Sequence, residues 1–141
     1  MARSNIYGLK KLGADVILCG PTTLIPPLID SLGVRTTHDL DEVLDWADAV
    51  NVLRIQLERM DRGLFPSVRE YRNLFGITSE RLKKHNKEIV IMHPGPINRG
   101  IEIDSSVADG KEAIILDQVL NGVASRMAIL YLLLGGKPEN N

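Results

Sequence analysis

The sequence predicts an α/β fold: one domain in three layers, an open parallel sheet with helices on both faces. Three observations carry this. Short apolar, β-branched runs recur along the chain and stop at glycine, proline or a charged residue. The segments between them have apolar residues at helical spacing. The two kinds alternate, the order a parallel sheet needs because parallel neighbours are joined by crossovers, not hairpins. With 141 residues, 44% apolar and 25% charged, the chain suffices for one globular domain with a real core and is too short for two of ordinary size.

The chain enters through a helix. From Ser4 to Leu12, Ile6, Leu9 and Leu12 share one face, and Gly13 offers a C-terminal cap. Ala14-Asp15-Val16-Ile17-Leu18-Cys19 reads as a buried strand stopped at Gly20-Pro21. Pro27 to Leu32 is a short helix closed by Gly33, and Val34 to Thr37 gives a second strand. Asp39 and Glu42 form a capping box for a helix whose Leu40, Val43, Leu44 and Ala47 make the apolar stripe. Strand three is Ala49 to Leu53, strand four is Glu88 to Met92, and Ala113 to Leu116 is a short fifth. An open, Rossmann-like sheet of this kind binds ligands beyond the carboxyl ends of its strands, so the informative segments are Gly20-Pro21-Thr22-Thr23, Arg54-Ile55-Gln56 and His93-Pro94-Gly95-Pro96.

Between strands three and four runs a long connection, Leu57 to Lys87, of the length that lids and binding loops have. It carries a charged piece from Glu58 to Gly63 and two short helices. Ser67 with Glu70 caps the first, whose Val68, Tyr71, Leu74 and Phe75 face inward before Gly76 ends it; Thr78 or Ser79 starts the second. The last helix, about Asp117 to Leu134, has a stripe of Leu120, Ala124, Met127, Tyr131 and Leu134. Val119, Val123, Leu130, Leu132 and Leu133 widen it beyond what one small sheet covers. Gly135-Gly136 and a polar tail close the chain.

The totals narrow the partners. A formal net charge of -1 and a pI near 6.3 give no broad attraction to nucleic acid or anionic lipid, so a charged ligand must be held by a local cluster. Cys19 ends an apolar run and reads as a buried, inert thiol, which leaves no disulfide framework. The opening Met1-Ala2-Arg3-Ser4-Asn5 is not an apolar leader, and no run reaches the roughly 18 apolar residues of a membrane span, so a cytoplasmic location is expected.

Two segments offer chemistry. In extended backbone Arg54 and Gln56 point the same way, and a guanidinium fork beside a carboxamide suits a carboxylate. Arg59 binds the same anion or braces Arg54; the alternative is a solvated polar loop. In His93-Pro94-Gly95-Pro96-Ile97-Asn98-Arg99-Gly100 two prolines stiffen the backbone and remove amide donors. Carbonyl oxygens are left to accept from a ligand bearing N–H groups, and one X-Pro bond is a candidate for cis. The alternative is a rigid turn with a surface histidine. There is no phosphate-loop glycine pattern and no zinc spacing. His38 and His85 read as surface residues, and Asp104 to Asp109 as a solvated loop rather than a cation site.

These segments resemble one family. His93-Pro94-Gly95-Pro96-x-Asn98-Arg99-Gly100-x-Glu102-Ile103 is similar to the proline loop of bacterial aspartate carbamoyltransferases. Ala2-Arg3-Ser4-Asn5, Arg54-x-Gln56-x-x-Arg59 and Gln118-Val119-x-Asn121-Gly122-Val123-Ala124-x-Arg126 agree in order, so the resemblance spans nearly the whole chain. Ornithine carbamoyltransferases share the architecture but carry a cysteine-containing motif in place of the His-Pro-Gly-Pro run.

The resemblance implies that residues 1–141 are the aspartate-binding domain of an enzyme that transfers a carbamoyl group from carbamoyl phosphate to L-aspartate in pyrimidine synthesis. No metal or organic cofactor takes part in that chemistry. Arg54 and Gln56 would hold the side-chain carboxylate, Arg59 would orient Arg54, and the carbonyls of Pro94 and Gly95 would accept from the amino group. The family's carbamoyl-phosphate domain, with its Ser-x-Arg-Thr-Arg motif and a lysine from the neighbouring subunit of a trimer, is absent from this sequence, as is an arginine upstream of Ala2. The expectation is weak aspartate affinity, no turnover alone, and a non-native dimer or displaced helix at the uncovered C-terminal face. The alternative is a stand-alone small-anion or amino-acid binding module.

Overall fold

The computed structural model describes residues 1–59, 67–85 and 87–135, and of Arg59 the backbone alone. The part of the long connection from 60 to 66 and the tail from 136 lie outside the described residues.

The chain is α/β, and among the described residues both hydrogen-bonded strand pairs are parallel. β1 (Ile17–Cys19) pairs with β2 (Arg35–Thr37), and β3 (Ala49–Asn51) with β4 (Val90–Met92). The strands are shorter than their apolar runs. The ladder falls into two pairs, which side chains join: Cys19 of β1 and Val50 of β3 both pack on the larger core cluster. The expected fifth strand is a single parallel bridge, Ala113 to Ile91. It stops there because Ile115 already begins the last helix.

Two clusters hold the domain. The larger gathers Leu40, Leu44, Ile77, Ile91, Ile103 and Ile115 with others, so both ends of the chain's second half meet on β4. The smaller joins Ile6, Ile29 and Val34. α1 (Ala2–Lys11) reaches it through Ile6 alone: of the expected stripe, Leu9 and Leu12 stay exposed. Lys10 supplies a second hold, its Nζ donating to the carbonyls of Leu32 at 2.8 Å and Gly33 at 2.9 Å. Gly33 is at φ +70, a backbone conformation that favours glycine, and a Cβ there would also meet that Nζ. The predicted helix before it is one 3-10 turn, Ile29–Leu32.

α2 (Leu40–Trp46) is capped as its sequence predicts on one side only. The Asp39 side chain accepts from the amides of Asp41 and Glu42. Glu42 does not return to Asp39; it accepts from Thr37 Oγ1 at 2.7 Å and pairs with Arg35 at 3.2 Å, so the capping box is half formed. α3 (Val68–Phe75) starts at Ser67 and α4 (Ser79–Lys84) at Thr78, each cap side chain accepting from a first-turn amide. On α3, Tyr71 is buried while Val68 and Leu74 are exposed, which corrects the predicted inward stripe. α5 (Ser105–Ala108) was not expected.

α6 (Ile115–Leu133) begins two residues before the predicted start, and Ile115 is its one buried residue. Leu116 is 84% exposed, Leu120 69% and Met127 66%. Its apolar face is uncovered. Among the described residues no helix is long and apolar enough to cross a membrane.

Candidate functional site

Parallel pairing of β3 with β4 brings their following segments to one edge. Asn51 stands opposite Met92, and the Val52 amide extends the ladder by donating to the Met92 carbonyl at 2.8 Å. Beyond this point residues 52–56 and 93–98 leave the sheet side by side. A side chain joins them: Asn98 Nδ2 donates to the Ile55 carbonyl at 2.7 Å. Val52 and Ile55 are buried while Gln56 is exposed, so Arg54 and Gln56 flank a residue anchored from below.

The Arg54 guanidinium is not idle. Its two terminal nitrogens grip Glu58, at 2.7 Å to Oε1 and 3.1 Å to Oε2. This is a bidentate fork of the kind expected for a ligand carboxylate. Arg54 Nε is buried with no partner among the described residues. Sequence reading gives Glu58 no role: Arg54 lies in irregular backbone before the helical turn Leu57–Arg59, so the two are not a pair within one helix. The predicted bracing of Arg54 by the Arg59 side chain lies outside the described residues.

In the second segment the Gly95-Pro96 bond is cis and Gly95 is at φ +63. His93 is fully buried, which corrects the surface-histidine alternative. Its amide donates to Gln118 Oε1 at 3.0 Å, fastening the turn to α6. Its Nδ1 accepts the Gly95 amide at 2.9 Å, and its Nε2 lies 3.3 Å from Glu102 Oε1. The same Glu102 oxygen accepts the Asn98 amide at 2.6 Å. Glu102 is also fully buried, and its Oε2 has no partner among the described residues. Burial disfavours its charge, but the hydrogen bonds from His93 and Asn98 outweigh that and hold its carboxyl below the ordinary carboxylate range.

Glu102 reaches His93 because the chain doubles back. The Gly100 amide donates to the Ile103 carbonyl at 2.8 Å, and the Ile77 amide takes the Glu102 carbonyl at 3.0 Å. Sequence reading gave Glu102 only as part of a motif, without a role.

Elsewhere the polar groups are structural. Burial first, then Asp39 and Glu42, push the Cys19 thiol up to about 11, away from nucleophilic thiolate. Asp104 pairs with Arg72 and Asp109 with Arg99, and these aspartates flank a helical turn rather than a cation loop. The side chain of His85 is mostly buried, 2.6 Å from Asp45, so it is not a surface residue. His38 Nδ1 stands 2.7 Å from the Gly20 carbonyl. Among the described residues no cluster of three or more His, Cys, Asp or Glu could hold a metal ion. A crevice of about 510 Å3 lies beyond β2, lined by Thr37, His38, Asp39, Leu40, Leu74 and Arg81 among others; Arg54, Gln56, Pro94 and Gly95 are not among its described lining residues. It is open, its Arg81 pairs with Asp41 and its Asp39 caps α2, so the edge beyond β3 and β4 is the better candidate.

Comparison with known proteins shows the family. A family described as aspartate/ornithine carbamoyltransferase, Asp/Orn binding domain, matches residues 1–133. The aspartate carbamoyltransferase catalytic subunit of Gemmatimonas aurantiaca is 59% identical over 139 residues, 99% of this chain and 44% of that protein. The one from Desulfitobacterium hafniense is 60% identical over 136 residues, again 44% of its length. The chain thus spans about half the length of the curated relatives it matches. Among solved structures, ornithine carbamoyltransferase from Pyrococcus furiosus has a TM-score of 0.77 at 23% identity, over 98% of this chain and 47% of that one, which speaks to the fold alone. Aspartate transcarbamoylase from Trypanosoma cruzi in complex with carbamoyl phosphate has a TM-score of 0.67 at 29% identity, over 82% of this chain and 39% of that one. With the match running from the first helix into the last, the chain belongs to the aspartate/ornithine carbamoyltransferase family, as its Asp/Orn-binding domain.

Proposed function

We propose that residues 1–141 are the aspartate-binding half of an aspartate carbamoyltransferase catalytic subunit, working with a carbamoyl-phosphate domain that is not in this sequence. The amine of L-aspartate attacks the carbamoyl carbon, phosphate leaves, and the amine gives up a proton. The product is N-carbamoyl-L-aspartate for pyrimidine biosynthesis. Arg54 and Gln56 hold the side-chain carboxylate, Arg59 braces Arg54, and the carbonyls of Pro94 and Gly95 accept from the amino group. Glu58 then gives up the guanidinium edge it now occupies, exchanging one carboxylate for another. No protein nucleophile is needed; orienting the amine against the carbamoyl carbon in a fixed electrostatic frame supplies the rate.

The observation that supports this reading best is the Asn98–Ile55 bond, which keeps the arginine segment and the carbonyl segment over one sheet edge. The catalytic-subunit names of the curated relatives favour it over a stand-alone anion-binding module. Cytoplasmic location, a trimeric parent subunit, and a dimer of the isolated chain through α6 belong to the same proposal.

The test is an L-aspartate titration of the chain, followed by an assay for carbamoyl-aspartate with a relative's carbamoyl-phosphate domain supplied in trans. Weak binding alone and turnover only in trans is the expected result. Turnover by the isolated chain would refute its predicted inactivity, and no binding of aspartate in either setting would refute the site.

A further inference from the structure

Resting on that reading of the carbonyl-bearing turn, we infer that His93 and Glu102 are positioning residues that aim the Pro94 carbonyl at the ligand's amine. The Pro94 carbonyl and the Gly95 amide are two ends of one peptide group, which is trans. In a trans peptide they point in opposite directions. The Gly95 amide is drawn back onto Nδ1 of the buried His93 at 2.9 Å. The Pro94 oxygen therefore faces away from the imidazole.

That arrangement depends on where the ring proton sits. Nδ1 accepts only when it carries no proton, so the neutral ring holds its proton on Nε2. Nε2 faces Glu102 Oε1 at 3.3 Å, a carboxylate oxygen that accepts a hydrogen bond from Nε2–H and so fixes the tautomer. The same oxygen accepts the Asn98 amide at 2.6 Å, and Asn98 in turn holds the Ile55 carbonyl beside Arg54. One buried oxygen thus fixes both ends of the turn. Its own backbone is pinned: the Ile77 amide donates to the Glu102 carbonyl at 3.0 Å, and the Asp104 amide to the Ile77 carbonyl at 3.0 Å. Both side chains are fully buried, so they act through Pro94 and do not touch ligand. A histidine kept only for its volume would need neither the Gly95 bond nor the Glu102 bond.

The test has two arms. In the first, nitrogen-15 NMR of the imidazole reads the tautomer of His93 without any ligand. Protonation of Nε2 alone is expected, with Glu102→Gln producing a mixture; protonation of Nδ1 in the native chain would overturn the inference. In the second, L-aspartate is compared with succinate, the same dicarboxylate without the amine. His93→Phe keeps the bulk and removes the acceptor; it should lose about tenfold of the preference for aspartate while succinate binds as before. His93→Asn places an amide oxygen near the Nδ1 position and should restore most of it. An unchanged preference in folded His93→Phe would overturn the inference. Should His93→Phe fail to fold, His93→Asn and the native tautomer decide it. If the native chain binds neither ligand, the proposed function fails, and the tautomer arm alone supports or overturns the aiming of the carbonyl.

Discussion

Asn98 and Ile55, 43 positions apart, are joined by one side-chain amide donating to one backbone carbonyl at 2.7 Å. Because β3 and β4 are parallel, their following segments leave at the same edge, but parallelism alone does not fix the angle between them. The Asn98 bond does. Asn98→Ala should cost about 1–2 kcal/mol by denaturant unfolding, the range for removing one partner of a part-buried hydrogen bond. It should weaken aspartate more than an equal loss of stability elsewhere in the core would. Equal effects from Asn98→Ala and an Ile→Val change in the core would show the bond to be merely structural.

Arg54 should tolerate no conservative replacement. Its fork meets Glu58 with two nitrogens, which a lysine ammonium cannot reproduce. The pair is partly exposed, with Glu58 about half accessible, so screening keeps its stability contribution within about 1 kcal/mol. Arg54→Lys is therefore expected to leave the unfolding midpoint nearly unchanged and to abolish dicarboxylate binding in a calorimetric titration.

The carboxyl of Glu102 sets an acid limit. Its folded pKa is depressed below the unfolded value, so its contribution is present above the ordinary carboxylate range and is lost as pH falls through the lower folded value. The part of the unfolding free energy that Glu102 supplies should be constant from neutral pH to about 5 and fall below about 4.3, the unfolded glutamate range. Glu102→Gln should be less stable at pH 7 and show a shallower acid slope. An unchanged slope in that variant would assign the acid sensitivity to other carboxylates, of which Asp109, held down by Arg99, is the first to examine.

How much of this was legible in the sequence depended on how local the cause was. The caps at Asp39, Ser67 and Thr78 are decided within three residues; the sequence marks the first two and leaves the third between Thr78 and Ser79, of which the structure has Thr78. Each strand was found but overextended, because an apolar run marks burial and not the reach of the ladder. The pairing of Arg54 with Glu58 spans only four residues, but Arg54 stands outside the helical turn that holds Glu58, so no helix spacing marks it. The buried His93–Glu102 pair was not legible from spacing. It needs the backbone reversal that stacks Arg99 against Ile103 and the docking of that hairpin on Ile77, both settled by packing at a distance. Arg54, Gln56, Pro94 and Gly95 were picked out by residue type and by place after a strand, which the parallel topology turns into one edge.

Gly76 tests a local rule that failed. It closes α3 at φ -71, not in the left-handed region that usually favours glycine there. The reason is space: a Cβ would stand 2.5 Å from the Arg72 carbonyl oxygen and 3.0 Å from that of Ile101. Both are backbone atoms that cannot swing aside. Gly76→Ala should destabilise by about 1–3 kcal/mol, the usual range for overpacking, despite an allowed backbone angle. Thermal unfolding compared with Gly122→Ala, where nothing lies within 4 Å, separates the clash from ordinary helix propensity.

The uncovered face of α6 should drive association of the isolated chain. Leu116, Leu120, Val123, Met127 and Leu130 recur at helical spacing and are all more than half exposed. At about 25 cal/mol per Å2, burying several hundred Å2 yields several kcal/mol. That competes with an association cost of about 4–15 kcal/mol, so a weak, concentration-dependent dimer is expected rather than a tight one. Sedimentation equilibrium over a wide concentration range should show it. Leu120→Glu with Met127→Glu should return the chain to monomer while leaving its unfolding free energy within about 0.5 kcal/mol, since neither side chain belongs to the core. A native chain that stays monomeric at high concentration would mean this face alone cannot hold two copies together.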